Sequence, residues 1–194
     1  MPRGQSSFQY NFFILGCQFN YYDAARVSHE LDMLGGSQAK LERADIIIAL
    51  ACSVRQKAVD RLIGHIKNWR AINSKAKIVV GACVLPADRH RLAKRVERIA
   101  SSRELKTETA AILKSIGIKY LANDSKTCAP VSVSPYQLYN PMCAYLAITS
   151  GCNNFCTFCA VPYTRTREIF YPAILTQVAR HKVGKSVGVN VLAK

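Results

Sequence analysis

Acidic side chains are scarce in this sequence: 12 Asp and Glu stand against 27 Lys and Arg in 194 residues, a formal charge of +15. The imbalance points to an anionic partner, with nucleic acid the first electrostatic candidate. Long hydrophobic runs are lacking too. The opening MPRGQSSFQYNFFILGCQFN holds a short apolar stretch and no small-residue cleavage site, so neither a membrane span nor a secretory signal is expected, and the chain is read as cytoplasmic. There is no low-complexity tract, and 49% hydrophobic content is enough for a buried core, which excludes a disordered tail. In a reducing compartment the eight cysteines are expected as metal ligands, reactive thiols or small buried residues rather than disulfides.

What is present begins with a recurrence. Three times a short apolar run ends at a cysteine and an amphipathic pattern follows: FFILGCQFN before YYDAARVSHELDMLGG, ADIIIALACSV before RQKAVDRLIGHIKNW, and KIVVGACVLP before ADRHRLAKRVERIA. The apolar runs read as strands buried on both faces and the segments after them as crossover helices. In the first helix Ala25, Val27, Leu31 and Leu34 form the apolar stripe, and Gly35 and Gly36 offer a stop. The pattern βαβαβα predicts an α/β fold, a small parallel-sheet amino-terminal domain over residues 10–125. Groups just past the carboxyl ends of such strands converge on one edge, where ligands bind. Cys17, Cys52 and Cys83 all hold that position, which points to a shared site.

The middle of the chain is less legible. ETAAILKSIGI fits a helix, and the Ser, Pro and Asn content of NDSKTCAPVSVSPYQLYNPM predicts a linker over residues 126–143, with Cys128 and Cys143 structural or incidental. A second, incomplete α/β unit is expected over 144–194: a buried strand from Tyr145 to Thr149, a helix starting at Pro172 and a final strand in SVGVNVLAK.

Between these elements lies GCNNFCTFCAVPYTR. Its three thiols, Cys152, Cys156 and Cys159, sit on a loop where Gly151 lets the backbone turn, so they can face one centre. They are soft ligands suited to zinc or an iron–sulfur cluster. A closed zinc site takes four ligands, usually from CxxC pairs, and here the spacing is C-x3-C-x2-C with only His181 as a remote fourth candidate. Three ligands on a four-iron cluster leave one iron open to substrate, a catalytic arrangement.

The spacing of Cys152, Cys156 and Cys159 at the end of a strand resembles the signature of the radical S-adenosylmethionine enzymes. LGCQFNYYDA, ADIIIALACSVRQKA and GACVLP resemble the three cysteine motifs in the amino-terminal domain of the methylthiotransferases among them. The resemblance spans about residues 10 to 170 and is weakest from 90 to 143. It implies that Cys152, Cys156 and Cys159 hold a 4Fe-4S cluster whose open iron chelates S-adenosylmethionine, the source of a 5′-deoxyadenosyl radical. It also implies that Cys17, Cys52 and Cys83 hold a second 4Fe-4S cluster, tied to the sulfur that a second S-adenosylmethionine methylates. Phe158 would lie against the cofactor's adenine. CSVRQKA and CTFCAVPYTR are most similar to the branch acting on tRNA, at C2 of N6-(dimethylallyl)adenosine beside the anticodon. Alternatives are a methylthiotransferase for threonylcarbamoyladenosine tRNA or a ribosomal protein and, from another class, an inactive fragment or a non-catalytic metal-binding protein that contacts RNA. The family also implies a partial (β/α) barrel longer than this sequence supplies, so a fragment that stops after the cluster motif is expected.

Other residues are assigned more loosely. Arg165 and Arg167 follow the cysteine loop and are candidates for a phosphate or a cofactor carboxylate, Arg165 being the one expected to bind cofactor. Gln18 and Asn20 beside Cys17, and Ser53 and Arg55 beside Cys52, are candidates to hydrogen-bond around a second cluster. RHRLAKRVER is expected as one helix carrying Arg91, Lys94, Arg95 and Arg98, a solvated face or a phosphate contact. His29, His65, His90 and His181 share no metal spacing, and GKS at 184–186 lacks the glycine of a phosphate loop. The family has glycine where Thr166 stands. If that position needs positive φ, threonine costs about 1 kcal/mol or more.

Overall fold

A computed structural model of the chain describes residues 7–52, 56–121, 143–147, 149–170 and 188–192. Strand β1 (Phe8–Ile14) leads into helix α1 (Gln18–Met33), which Gly35 ends at φ +82°, and the edge strand β2 (Gly36–Gln38) follows. After a short 3-10 turn, Leu41–Arg43, come β3 (Ile46–Cys52), α2 (Gln56–Ile72) and β4 (Lys77–Cys83). Helix α3 (Pro86–Ala93), with proline at its first turn, precedes β5 (Arg98–Ile99), α4 (Ser102–Thr107) and α5 (Thr109–Ser115).

The five strands form one sheet in the order β2-β1-β3-β4-β5, every pair parallel. The apolar run of β3 is buried on both faces and divides by the period of two. Ile46, Ile48 and Leu50 join Val27 and Leu31 of α1, Leu105 of α4 and Leu113 of α5 on one side. Ile47, Ala49 and Ala51 join Leu62, Ile66 and Trp69 of α2 and Leu92 of α3 on the other. Each large aliphatic side chain buried in these layers contributes about 1.5–3 kcal/mol, which holds the sheet as a rigid base for its edges. The α/β reading is borne out, and β2, α4 and β5 add to it.

One element departs from expectation. The helix read through RHRLAKRVER stops at Ala93, and Arg98 and Ile99 form β5. The cause is the open edge of β4: Val79 and Val80 pair with Arg98 and Ile99, and the Glu97 carboxylate accepts the Ile78 N–H at 2.7 Å. Arg91 and Arg98 therefore do not share a helical face. Arg91 pairs with Asp60 at 2.7 Å, and Arg98 with Glu104 at 3.1 Å. Helix α4 is fixed by a capping box, in which Ser101 Oγ accepts the Glu104 N–H at 3.1 Å and the Glu104 carboxylate accepts the Ser101 N–H at 2.6 Å.

Farther along, β6 (Cys143–Ala147) pairs in parallel with β9 (Gly188–Leu192), the final strand expected from sequence. The strand expected from Tyr145 to Thr149 is divided. β7 (Thr149–Ser150) pairs antiparallel with β8 (Ile169–Phe170), and this small ribbon closes the base of the cysteine loop, which also carries α6 (Val161–Arg165). The helix expected at Pro172 lies outside the described residues, as do Ser53, Arg55 and, except for Cys143, the linker. Among the described residues no helix is long and apolar enough to cross a membrane.

Candidate metal centre

The strand order 2-1-3-4-5 places a topological switch point between β1 and β3, because the chain leaves β1 toward one side of the sheet and β3 toward the other. Cysteines stand at and beside that point. Cys52 is the last residue of β3, Cys83 the last of β4, and Cys17 follows β1 directly before α1. Cys52 and Cys83 are register partners on adjacent strands, about 4.8 Å apart in the hydrogen-bonding direction. Gly16 brings Cys17 to them: a Cβ at Gly16 would lie 3.4 Å from the Cys52 Cβ and would overlap the Asn20 side chain. Exposure is graded, with Cys17 exposed, Cys52 half-buried and Cys83 buried.

The second triad is built locally. Gly151 at φ +88° has no room for a side chain, because a Cβ there would strike the Thr166 and Arg167 backbone. The Cys152 N–H donates to the Thr166 carbonyl at 3.2 Å, and the Cys159 N–H to the Cys156 carbonyl at 3.0 Å. Cys156 is exposed, Cys152 and Cys159 are half-buried, and the Phe158 ring is 90% exposed. The loop thus offers thiols and a bare aromatic face outward.

Arg165 joins the two regions. It lies on α6, beyond the cysteine loop, yet is only 8% exposed. Its Nε donates to Cys83 Sγ at 3.1 Å, and its Nη2 donates to Asn20 Oδ1 at 3.2 Å and pairs with Asp23 Oδ2 at 3.0 Å. The guanidinium also sits 4.8 Å from the Phe19 ring centroid, a cation–π contact. Asp23 is itself buried and takes Lys106 Nζ at 3.0 Å and Ser102 Oγ at 2.9 Å. Asn20 is fixed from behind by its Nδ2 bond to the Ala51 carbonyl at 3.2 Å.

The electrostatics follow from this packing. Burial would raise the Asp23 carboxyl, but Lys106 and Arg165 outweigh it and hold the group below the usual carboxylate range. Burial would also neutralise Arg165, but Asp23 and then Cys83 keep it charged, above its ordinary value. The Cys83 thiol is pushed up by burial, and the charge and hydrogen bond of Arg165 offset part of that rise. An Arg165 N–H aimed at sulfur fits a thiolate acceptor, the form that binds metal.

Strain gathers at the same places. Among the described residues Ala82, Phe155 and Thr166 are the non-glycine positions with positive φ, at +75°, +47° and +69°. Ala82 precedes Cys83, Phe155 precedes Cys156, and Thr166 supplies the carbonyl that takes the Cys152 N–H. Thr166, with ψ −161°, occupies a region essentially reserved for glycine, which meets the expectation for this position.

Of the residues singled out in sequence, the two triads, Arg165 and Asn20 fall in these two adjoining regions. Arg167 is exposed, and His65 stacks on Trp69 and meets Phe13 at a tilt in the packing of α2. Sequence reasoning missed Asp23, Lys106, Ser102 and Phe19. A signal existed for Asp23: it interrupts the four-spaced row Phe19, Asp23, Val27, Leu31 on the buried face of α1. No group of three His, Cys, Asp or Glu among the described residues is spaced to hold a single metal ion. In an iron–sulfur cluster each thiolate meets its own iron, so the ligands spread more widely.

Residues 9–102, which span most of the five-stranded parallel sheet and its cysteine-lined edge, match the model of the uncharacterized protein family UPF0004. Most of the chain is also similar to curated proteins. It is 33% identical over 170 residues to the tRNA-2-methylthio-N(6)-dimethylallyladenosine synthase of Dictyoglomus thermophilum, covering 82% of this chain and 38% of that protein. The enzyme of the same name from Ehrlichia ruminantium is 31% identical over 197 residues, covering 92% of this chain and 44% of that protein. That from Wolbachia pipientis wMel is 30% identical over 166 residues, covering 81% and 38%. The chain spans about two fifths of the length of these relatives.

Proposed function

We propose that the chain serves tRNA methylthiolation at C2 of N6-(dimethylallyl)adenosine beside the anticodon, in the cytoplasm, with two 4Fe-4S clusters and S-adenosylmethionine. Cys152, Cys156 and Cys159 hold the radical cluster, and Cys17, Cys52 and Cys83 hold the second. The observation that carries this reading is Arg165, which leaves the loop of one triad and donates a hydrogen bond to Cys83 of the other at 3.1 Å. Two soft-ligand sets joined by one buried cation suit a reaction that needs both within reach of one substrate.

When bound, the radical cluster supplies one-electron cleavage of S-adenosylmethionine, and with it the means to remove hydrogen from an unactivated carbon. The chain's own residues prepare for this. Gly151 and the Thr166 carbonyl turn Cys152 toward its partners. Phe158 offers an exposed ring on which an adenine can stack. Asp23 keeps Arg165 charged, and Arg165 supports the Cys83 thiolate against its burial. The net charge of +15 favours the approach of tRNA.

The test is to reconstitute the chain anaerobically with iron and sulfide, reduce it, add S-adenosylmethionine and measure 5′-deoxyadenosine. The expected result is cleavage that Cys156→Ala abolishes and Cys52→Ala retains. A formed cluster at the loop that yields no 5′-deoxyadenosine contradicts the proposal for this chain.

A further inference from the structure

A cavity of about 390 Å³ opens between α1 and α4 on one side and the β7–α6–β8 segment on the other. Its walls carry four cations, Arg26, Arg103, Lys106 and Arg165, together with the hydroxyls of Ser101 and Ser150. Among the described residues no carboxylate lines it. Asp23, which pairs with two of these cations, is already engaged by Lys106, Arg165 and Ser102. Glu104 on the same helix is turned to Arg98 and to the Ser101 N–H. Arg165 also keeps its Nη1 buried without a protein hydrogen-bond partner. Concave walls with excess positive charge and hydroxyl donors suit a bound oxyanion. The volume is larger than a bare phosphate needs and falls in the range of small-ligand sites, about 300–1,000 Å³. Ile169 and the aliphatic stems of the arginines and lysine give the rest of the wall an apolar character that suits a sugar.

We propose that this cavity is a nucleotide-phosphate site, in which Arg26 and Arg103 at the rim and Lys106 deeper in hold a phosphate while its sugar rests against Ile169. The ligand chemistry is shared by a free mononucleotide and by one phosphodiester of an RNA strand. The RNA source rests on the function proposed above, but the phosphate site itself does not.

The experiment uses the 194-residue chain without iron or S-adenosylmethionine, so its outcome is independent of radical chemistry. AMP binding is followed by 31P NMR, and binding of a fluorescent single-stranded RNA by anisotropy, for the wild type and for the double variant Arg26→Gln/Arg103→Gln. Circular dichroism confirms that both are folded, and Arg103→Lys serves as the conservative control. The expected result is AMP broadening in the wild type that weakens about tenfold or more in the double variant and is partly kept by Arg103→Lys. If AMP also displaces RNA and the double variant lowers the salt slope of RNA binding by about 0.7 per lost phosphate contact, the natural ligand is the RNA backbone. If RNA binding is unchanged while AMP binding is lost, the site takes a free nucleotide. Equal AMP binding by the wild type and the double variant, or none by either, overturns the proposal.

Discussion

The two cysteine triads are built in opposite ways. Cys17, Cys52 and Cys83 are far apart in sequence and meet because β1, β3 and β4 are neighbours in one parallel sheet, so the site is a product of topology. Cys152, Cys156 and Cys159 share one short loop that a glycine turn and a two-stranded ribbon close, so that site is a product of local sequence. The first is backed by two buried layers and grades from exposed to buried, whereas the second has no buried thiol and sits beside the exposed Phe158 ring. A rigid edge with one deep ligand suits a permanent cluster, and an open loop suits a cluster that must admit a substrate.

The largest effect is expected from Gly151→Ala. With φ at +88° and the Thr166 and Arg167 backbone in the way, the loop cannot keep its path. Iron bound per chain should fall by about half, with the loop cluster lost and the sheet-edge cluster kept. Equal loss from both triads would show that they are not independently built.

Next is Arg165→Met, which removes one partner of a buried ion pair and leaves Asp23 with Lys106 and Ser102. Breaking such a pair costs about 3 kcal/mol, a fall in Tm of about 6–12 °C by calorimetry. A fall as small as that of an exposed arginine variant would remove the link between the triads.

The Asp23 carboxylate also gives a pH dependence with a definite sign. Its folded pKa lies below its ordinary value of 3.8, so its contribution is present above that pH and is lost as pH falls through the lower folded value. Urea unfolding midpoints should hold steady from neutral pH down to about 5 and then drop on further acidification. Asp23→Asn should lower the plateau and flatten the acid limb attributable to this group.

The smallest effect is expected from Thr166→Gly. Relief of a conformation worth about 1–3 kcal/mol, less the greater freedom of glycine in the unfolded chain, leaves a gain of about 1 kcal/mol. Tm should rise by about 2–4 °C, with the Cys152 N–H bond to the residue 166 carbonyl kept. No rise would mean that the loop relaxes around threonine at no cost.

Much of this contrast was legible in the sequence, for reasons that differ between the regions. The buried strands showed as apolar runs ending at cysteines, and the strand-to-helix rhythm implied one shared edge, because a parallel sheet allows few other arrangements. The loop showed because its ligands are close in sequence, and Thr166 showed as a residue in a glycine position. Less visible was anything set by long-range partners. β5 reads as the tail of a helix because Arg98 and Ile99 are drawn out of α3 by the open edge of β4. Arg165 reads as a cofactor contact because Cys83 and Asp23 lie far back in the chain. Asp23 broke the pattern of its helix, but its partners Lys106 and Ser102 sit on a short helix, α4, that the sequence reading did not distinguish.

Anaerobic measurement of iron and acid-labile sulfide distinguishes two separate cysteine sites from one. The wild type should hold about eight irons and eight sulfides per chain, and Cys52→Ala and Cys156→Ala about four of each. One zinc with no sulfide, or a Cys52→Ala protein that retains the full wild-type iron, would contradict two separate sites.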